Sequence, residues 1–202
     1  MPRTVSMILM ATGWLLFAVS PALAASAGEV LAIKGECLVD SGGKRGPLKL
    51  GDSVQVGDTV EVPEGARLKL RMVDGSVISA ASGTRVTIEA YTGEPRDAKL
   101  TLAAGLLRAV VAKAAQPSRF EVDTATGVAA VRSTDWFVLA EPKGTQVGVL
   151  DGSVSLSSTA TQRAVTIPAR WGARVEPGRD PVPARVWSQA EFNDVIARTN
   201  AE

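Results

Sequence analysis

The sequence predicts an all-β fold: a meander of short antiparallel strands forming a sandwich-like or solenoid-like body, followed by one short C-terminal helix. Three observations predict it. From Val30 to Val175 apolar and polar residues alternate with a period of two. Gly, Asp and Pro punctuate that alternation about every ten residues, the spacing of turns between short strands. Apolar residues make up 46% of the chain but aromatics only 4%, so the core must be built from Val, Leu, Ile and Ala, which suits many thin strands.

The clearest strand covers residues 66–73 (ARLKLRMV). Ala66, Leu68, Leu70 and Met72 face one way, and Arg67, Lys69 and Arg71 the other. Asp74-Gly75 supplies a turn with positive φ, and Ser76-Val77-Ile78 starts the return strand. The second half repeats the device: residues 145–150 lead to Asp151-Gly152, and residues 153–157 alternate with Val154 and Leu156 inward. Glu141-Pro142-Lys143-Gly144 reads as a turn between a strand at residues 136–140 and that at 145–150. The shared D-G-S-V hints at two related halves, although five matching residues in the language of hairpins are thin support for a duplication.

Both ends of the chain depart from this pattern. Arg3 gives a positive n-region, residues 7–19 (MILMATGWLLFAV) an apolar h-region, and Ala22-Leu23-Ala24 an A-x-A cleavage signal. Residues 1–24 are therefore expected to be a signal peptide, with the mature chain starting at Ala25 in the periplasm or outside the cell. The alternative, an uncleaved anchor, has a short apolar run for a bilayer span. No integral membrane segment is expected after cleavage. Residues 25–175 form the β domain, and residues 176–202 a Pro-rich linker with the helix. Pro177, Pro181 and Pro183 cannot sustain ladder pairing. Ser188 and Glu191 then make a capping box, with Trp187 and Phe192 at the staple positions and Phe192, Val195 and Ile196 as an apolar stripe. A helix this short must dock on the β-body or on a partner.

Composition also bounds the chemistry. With Lys+Arg 22 against Asp+Glu 21, and balance once Arg3 is removed, nothing here suits a nucleic-acid backbone. The chain has no histidine, which removes every His-based triad, general base and metal site. Asp52, Asp58, Asp74 and Asp151 each adjoin a glycine, where a turn needs a short acceptor, and they lack the dense spacing of a calcium loop. We expect no enzyme activity, no metal and no cofactor. Cys37 is the single cysteine, so no internal disulfide can form. In Glu36-Cys37-Leu38-Val39 it reads as a small hydrophobe in a strand, with intermolecular pairing or a reactive thiol as the alternatives.

Residues 50–60 (LGDSVQVGDTV) contain G-D-[ST]-V twice ahead of Pro63-Glu64-Gly65 and the strand at Ala66. Then come D-G-S at 74–76, residues 82–88 (SGTRVTI), LTLAAG at 100–105, FEVDT at 120–124, VRSTDWF at 131–137 and the stretch 147–154. In this order the motifs resemble the FecR family over about residues 28–175. LTLAAG stands for the family's L-x-x-G turn, VRSTDWF for its V-R-G-T-x-F element, and 147–154 for its V-x-V-x-x-G-x-V hairpin. Ser133 replaces the usual glycine. The resemblance implies a β-rich periplasmic domain of the kind found in regulators that relay receptor occupancy to a sigma factor. By this reading the chain lacks the cytoplasmic anti-sigma segment and a retained membrane helix, leaving a sensor or binding module whose partner is an envelope protein.

Two surfaces are candidates. Arg67, Lys69 and Arg71, with Arg85 across the following hairpin, offer a basic face for an anionic glycan or lipid head group, or are simply a solvated face. Trp136 and Phe137 alternate across a strand, so one ring is expected in the core and the other at the surface as a binding anchor.

Overall fold

The computed structural model describes residues 25–93, 96–113 and 118–201; the signal peptide expected at 1–24 lies outside them. The strands, in chain order, are β1 (Ser26–Lys34), β2 (Leu38–Ser41), β3 (Lys44–Pro47), β4 (Ser53–Gln55), β5 (Thr59–Val62), β6 (Arg67–Met72), β7 (Val77–Ala80), β8 (Thr84–Tyr91) and β9 (Asp97–Val110). They continue with β10 (Arg119–Asp123), β11 (Gly127–Val131), β12 (Asp135–Glu141), β13 (Gly144–Asp151), β14 (Ser153–Ser158), β15 (Ala164–Pro168), β16 (Trp171–Val175) and β17 (Arg185–Val186), before the helix α1 (Gln189–Thr199).

Their pairings form two runs that share β9. One runs β4-β1-β6-β7-β9-β12-β13-β16-β17. The other runs β3-β2-β5-β8-β9-β10-β11-β14-β15, all antiparallel except β9 with β10. Inward side chains of both runs, among them Leu68, Leu70, Val138 and Val147 from the first and Val60, Ile88, Leu156 and Ile167 from the second, meet in one apolar cluster. This is the sandwich-like form of the expected body. The alternation that predicted it is visible in β6, where Leu68, Leu70 and Met72 are buried and Arg71 is exposed.

The long strand β9 changes run at Gly105. Residues 97–104 pair with β8 and β10, and residues 105–110 with β12 and β7. Gly105 has φ +94°, and a methyl group there would overlap the backbone and hydroxyl of Thr84. The Thr84 hydroxyl accepts from Leu106 N at 3.1 Å and donates to Leu106 O at 3.2 Å, closing the bend. The LTLAAG stretch is therefore not the turn that the resemblance implied. Its glycine bends a continuous strand, because only glycine adopts this φ so close to another backbone.

The two D-G-S-V stretches also part company. Asp74-Gly75 closes the β6–β7 hairpin, with Arg71 opposite Val77. Asp151-Gly152 instead carries the chain from one run to the other: β13 pairs with β12 and β16, whereas β14 pairs with β11 and β15. The hairpin expected at 147–154 is a corner between sheets, so the match in sequence is no duplicated unit.

Three of the four Gly-adjacent aspartates behave as turn acceptors, taking the amides of Lys49, Gln55 and Ser76 on Asp52, Asp58 and Asp74. Asp74 does more. It forms an ion pair with Arg96 in which the two side chains are 2% and 1% exposed. Ser76 Oγ donates to Asp74 at 2.7 Å and Tyr91 Oη at 3.0 Å, while Arg96 donates to Arg132 O at 3.0 Å and Ala112 O at 2.6 Å. Burial, then the Asp74 charge, raises the Tyr91 phenol above its ordinary pKa and keeps it protonated. One buried guanidinium thus ties the first D-G turn to the segments that open the second half.

The C-terminal segment carries the expected short helix and adds β17 to the edge of the first run. Residues 176–184 carry no strand, and α1 starts at the Ser188–Glu191 capping box. The helix docks on the outer face of the first run, where Phe192 and Val195 join Ala81, Leu106, Phe137 and Trp187 in a second apolar cluster. The staple pair Trp187 and Phe192 lies 5.6 Å apart, and the Arg170 guanidinium sits 4.8 Å above the Phe192 ring. Phe192→Ala is expected to cost about 3 kcal/mol and promote association, because it removes a fully buried ring and uncovers Phe137. Thermal unfolding and sizing measure both effects; an unchanged melting temperature in a monomeric variant would show that the helix is not a cover.

Cys37 is fully buried immediately before β2, and its thiol donates to Arg67 O at 3.8 Å. Burial pushes its pKa up to about 11, so it is a packed thiol rather than a nucleophile. A thiol reagent at pH 8 should label it only after unfolding, and rapid labelling of the native chain would refute this.

Candidate functional site

The structure separates the residues that the sequence grouped. Arg67, Lys69 and Arg71 do share the outward side of β6, but each is engaged. Arg71 pairs with Glu29 on β1, Arg67 donates to Asn200 O just beyond α1 at 3.1 Å, and Lys69 is not free either. Arg67 thereby satisfies a carbonyl at the helix C-terminus, where a cation is favoured. Arg85 belongs to the other run, on β8, and pairs with Glu61, which also holds Arg45. It does not extend the β6 stripe, because β6 and β8 lie in different runs.

Trp136 and Phe137 both lie inside, at 0% and 1% exposure. Trp136 packs edge-on against Phe120 in the main core, its ring Nε1 without a hydrogen-bond partner among the described residues. Phe137 points to the opposite side of β12, where alternation sends it outward and α1 then covers it. The surface anchor expected from this pair is absent because the helix occupies its place.

Covering Phe137 builds a feature that sequence reasoning missed. Gly148 on β13 lies opposite Phe137 on β12 and opposite Gly172 on β16. A methyl group at Gly148 would overlap the Phe137 ring, and one at Gly172 the Trp187 ring. The two glycines form a floor on which these rings rest. The available signal was a glycine inside each alternating strand, which marks close approach.

On either side of Trp187 the surface opens into an apolar cleft. One, of about 420 Å³, lies between β16 and residues 182–185; the other, of about 400 Å³, lies between α1 and the strands β12 and β13. Gln146 and Trp187 line both, with Val182 and Pro183 in the first and Leu139 and Val195 in the second. The ridge between them is held by Arg185, whose guanidinium lies 5.7 Å from the Trp187 ring and pairs with Glu191 at 2.6 Å. Arg185 and the Ser188 amide lower the Glu191 carboxyl to about 2, so this rim stays ionised at any ordinary pH. Val186 (61% exposed) pairs with Trp171 (37%) on neighbouring strands beside the cleft. Apolar hollows with a charged rim can hold apolar side chains of a partner. Among the described residues no group of acids, cysteine or histidine is placed to hold a metal, and no helix is long and apolar enough to cross a membrane.

Ser133, where the resemblance expects glycine, has ordinary backbone: among the described residues only Gln162 and Arg170 combine a side chain with positive φ.

Two crystal structures of an assigned anti-sigma factor from Parabacteroides distasonis ATCC 8503, at 1.65 Å and 2.50 Å resolution, share this fold. Each superposes with a TM-score of 0.57 at 15% identity over 68% of this chain, a likeness that concerns the fold alone. The chain spans 64% and 63% of their respective lengths. No curated protein matches the sequence. Residues 58–155, from β5 into β14, match the FecR protein family, a narrower stretch than the resemblance suggested. The chain carries a FecR domain on those residues.

Proposed function

We propose that this chain is a non-enzymatic FecR-type module of the cell envelope that acts in signalling by binding another protein, which seats apolar side chains in the clefts beside Trp187. The FecR domain supports envelope signalling, and the anti-sigma factor assignment of the two similar structures agrees with it. The signal-peptide pattern in residues 1–24 supports export to the periplasm. The observation that carries the binding mode is the pair of apolar clefts sharing Gln146 and Trp187. Desolvated hollows around a fixed aromatic are where protein interfaces gain most of their energy. The alternative of a polysaccharide held on the Arg67, Lys69 and Arg71 face gains no support, since those groups are already engaged.

A photo-crosslinking phenylalanine derivative at position 146, in the full chain expressed in its own cells, tests the proposal. A discrete adduct with an identified envelope protein is expected, absent when the probe replaces Lys49 and lost on adding Val182→Asp. No adduct at 146, or the same adduct from position 49, overturns it.

A further inference from the structure

Arg132 belongs to the VRSTDWF stretch, yet its side chain plays no part in the fold. Among the described residues every other arginine guanidinium meets a carboxylate, carbonyl or amide oxygen. That of Arg132 meets none, and its residue is exposed. Its backbone, by contrast, is fixed. The buried Arg96 donates to Arg132 O at 3.0 Å, and Thr134 Oγ1 donates to Ser153 O at 3.2 Å. A methyl group on Gly152 would come within 2.9 Å of Ser133 O, so the two loops pack against one another.

Arg132 borders a groove of about 510 Å³ across the ends of β10, β11, β14 and β15. Ser133, Ser153, Ser155 and Thr166 line it with side-chain hydroxyls that donate to nothing within the described protein, and no carboxylate of a described residue lines it. Arg119, also in the lining, is neutralised by a two-pronged contact with Glu121. Among the described residues the single uncompensated charge in the groove is therefore the Arg132 fork, a geometry matched to a carboxylate or sulfate. The large apolar residues of the lining, Phe120, Val131 and Val154, are turned into the core at 6% exposure or less. A larger share of the groove's lining is polar than in the clefts beside Trp187, which suits a ligand rich in hydroxyls better than apolar side chains.

We infer that this groove binds an acidic saccharide, its carboxylate or sulfate on Arg132 and its ring hydroxyls on Ser133, Ser153, Ser155 and Thr166. The site is separate from the clefts beside Trp187 and stands whether or not those bind a protein.

Amide chemical shifts of the full chain titrated with trigalacturonate, neutral maltotriose and an acidic hexapeptide test the inference. Trigalacturonate should give saturable shifts confined to 118–119, 130–134, 152–155 and 166, weakening as salt rises. Arg132→Ala, which removes no internal contact, should weaken the binding at least about tenfold, as expected for a charged fork. Arg132→Lys should restore part of it, and Arg71→Ala should leave it unchanged. The inference is overturned by no saturable shift, by equal response to maltotriose, by response to the peptide alone, or by unchanged affinity in Arg132→Ala.

Discussion

Gly105→Ala is expected to destabilise the protein by about 4 kcal/mol, combining left-handed backbone strain with overpacking, each about 1–3 kcal/mol. The methyl group would meet Thr84 at the point where β9 leaves one run for the other, and neither strand can retreat without breaking its ladder. A built-in control exists. Gly75 has a similar φ, +80°, with nothing within 4 Å, so Gly75→Ala carries the strain alone, about 1–2 kcal/mol. Urea unfolding of the two variants separates the contributions. Equal losses would mean that the approach to Thr84 is not tight.

Asp74→Ala should cost about 4 kcal/mol, because it leaves the Arg96 guanidinium buried without a counter-charge. If Asp74 were only a turn acceptor, the loss would be nearer 1 kcal/mol. Asp74→Ala combined with Arg96→Met removes both charges and should recover a substantial part of the stability, since an apolar replacement of a buried pair is often tolerated. A double variant no better than Asp74→Ala alone would show that the unpaired charge is not what destabilises the single one.

Much of this fold was legible from period and punctuation. The alternation in residues 66–73 gave the faces of β6 correctly, and the capping box at Ser188 located α1. What was hidden depends on contacts distant in sequence. Nothing local distinguishes the D-G at 74–75, which closes a hairpin, from that at 151–152, which changes sheets; the partners of the following strand decide it. Arg96 carried no local sign of burial, since a charged residue between a proline and a strand looks solvated until Asp74 is placed beside it. The surroundings of the candidate surfaces were hidden for a related reason. A basic stripe and an aromatic pair are visible in sequence, but Glu29, Asn200 and the covering helix are brought to them only by the fold. The signs left by the clefts were negative ones, glycines at 148 and 172 where a strand should carry side chains.

Because β9 contributes to both runs and pairs in parallel with β10, the second half of the chain cannot complete its sheets before β9 is in place. Parallel neighbours need a long crossover, and pairings such as Gly28 with Met72 and Val77 with Val110 close large loops before they return any stability. Folding is therefore expected to be slow for the chain's size and to occur in a single cooperative transition, with little native-like structure until β9 is in place. During that interval the unpaired edges of β8 and β12 stand open to other copies of the chain. The bend at Gly105 that unites the finished sandwich also sets how long the unfinished one remains vulnerable.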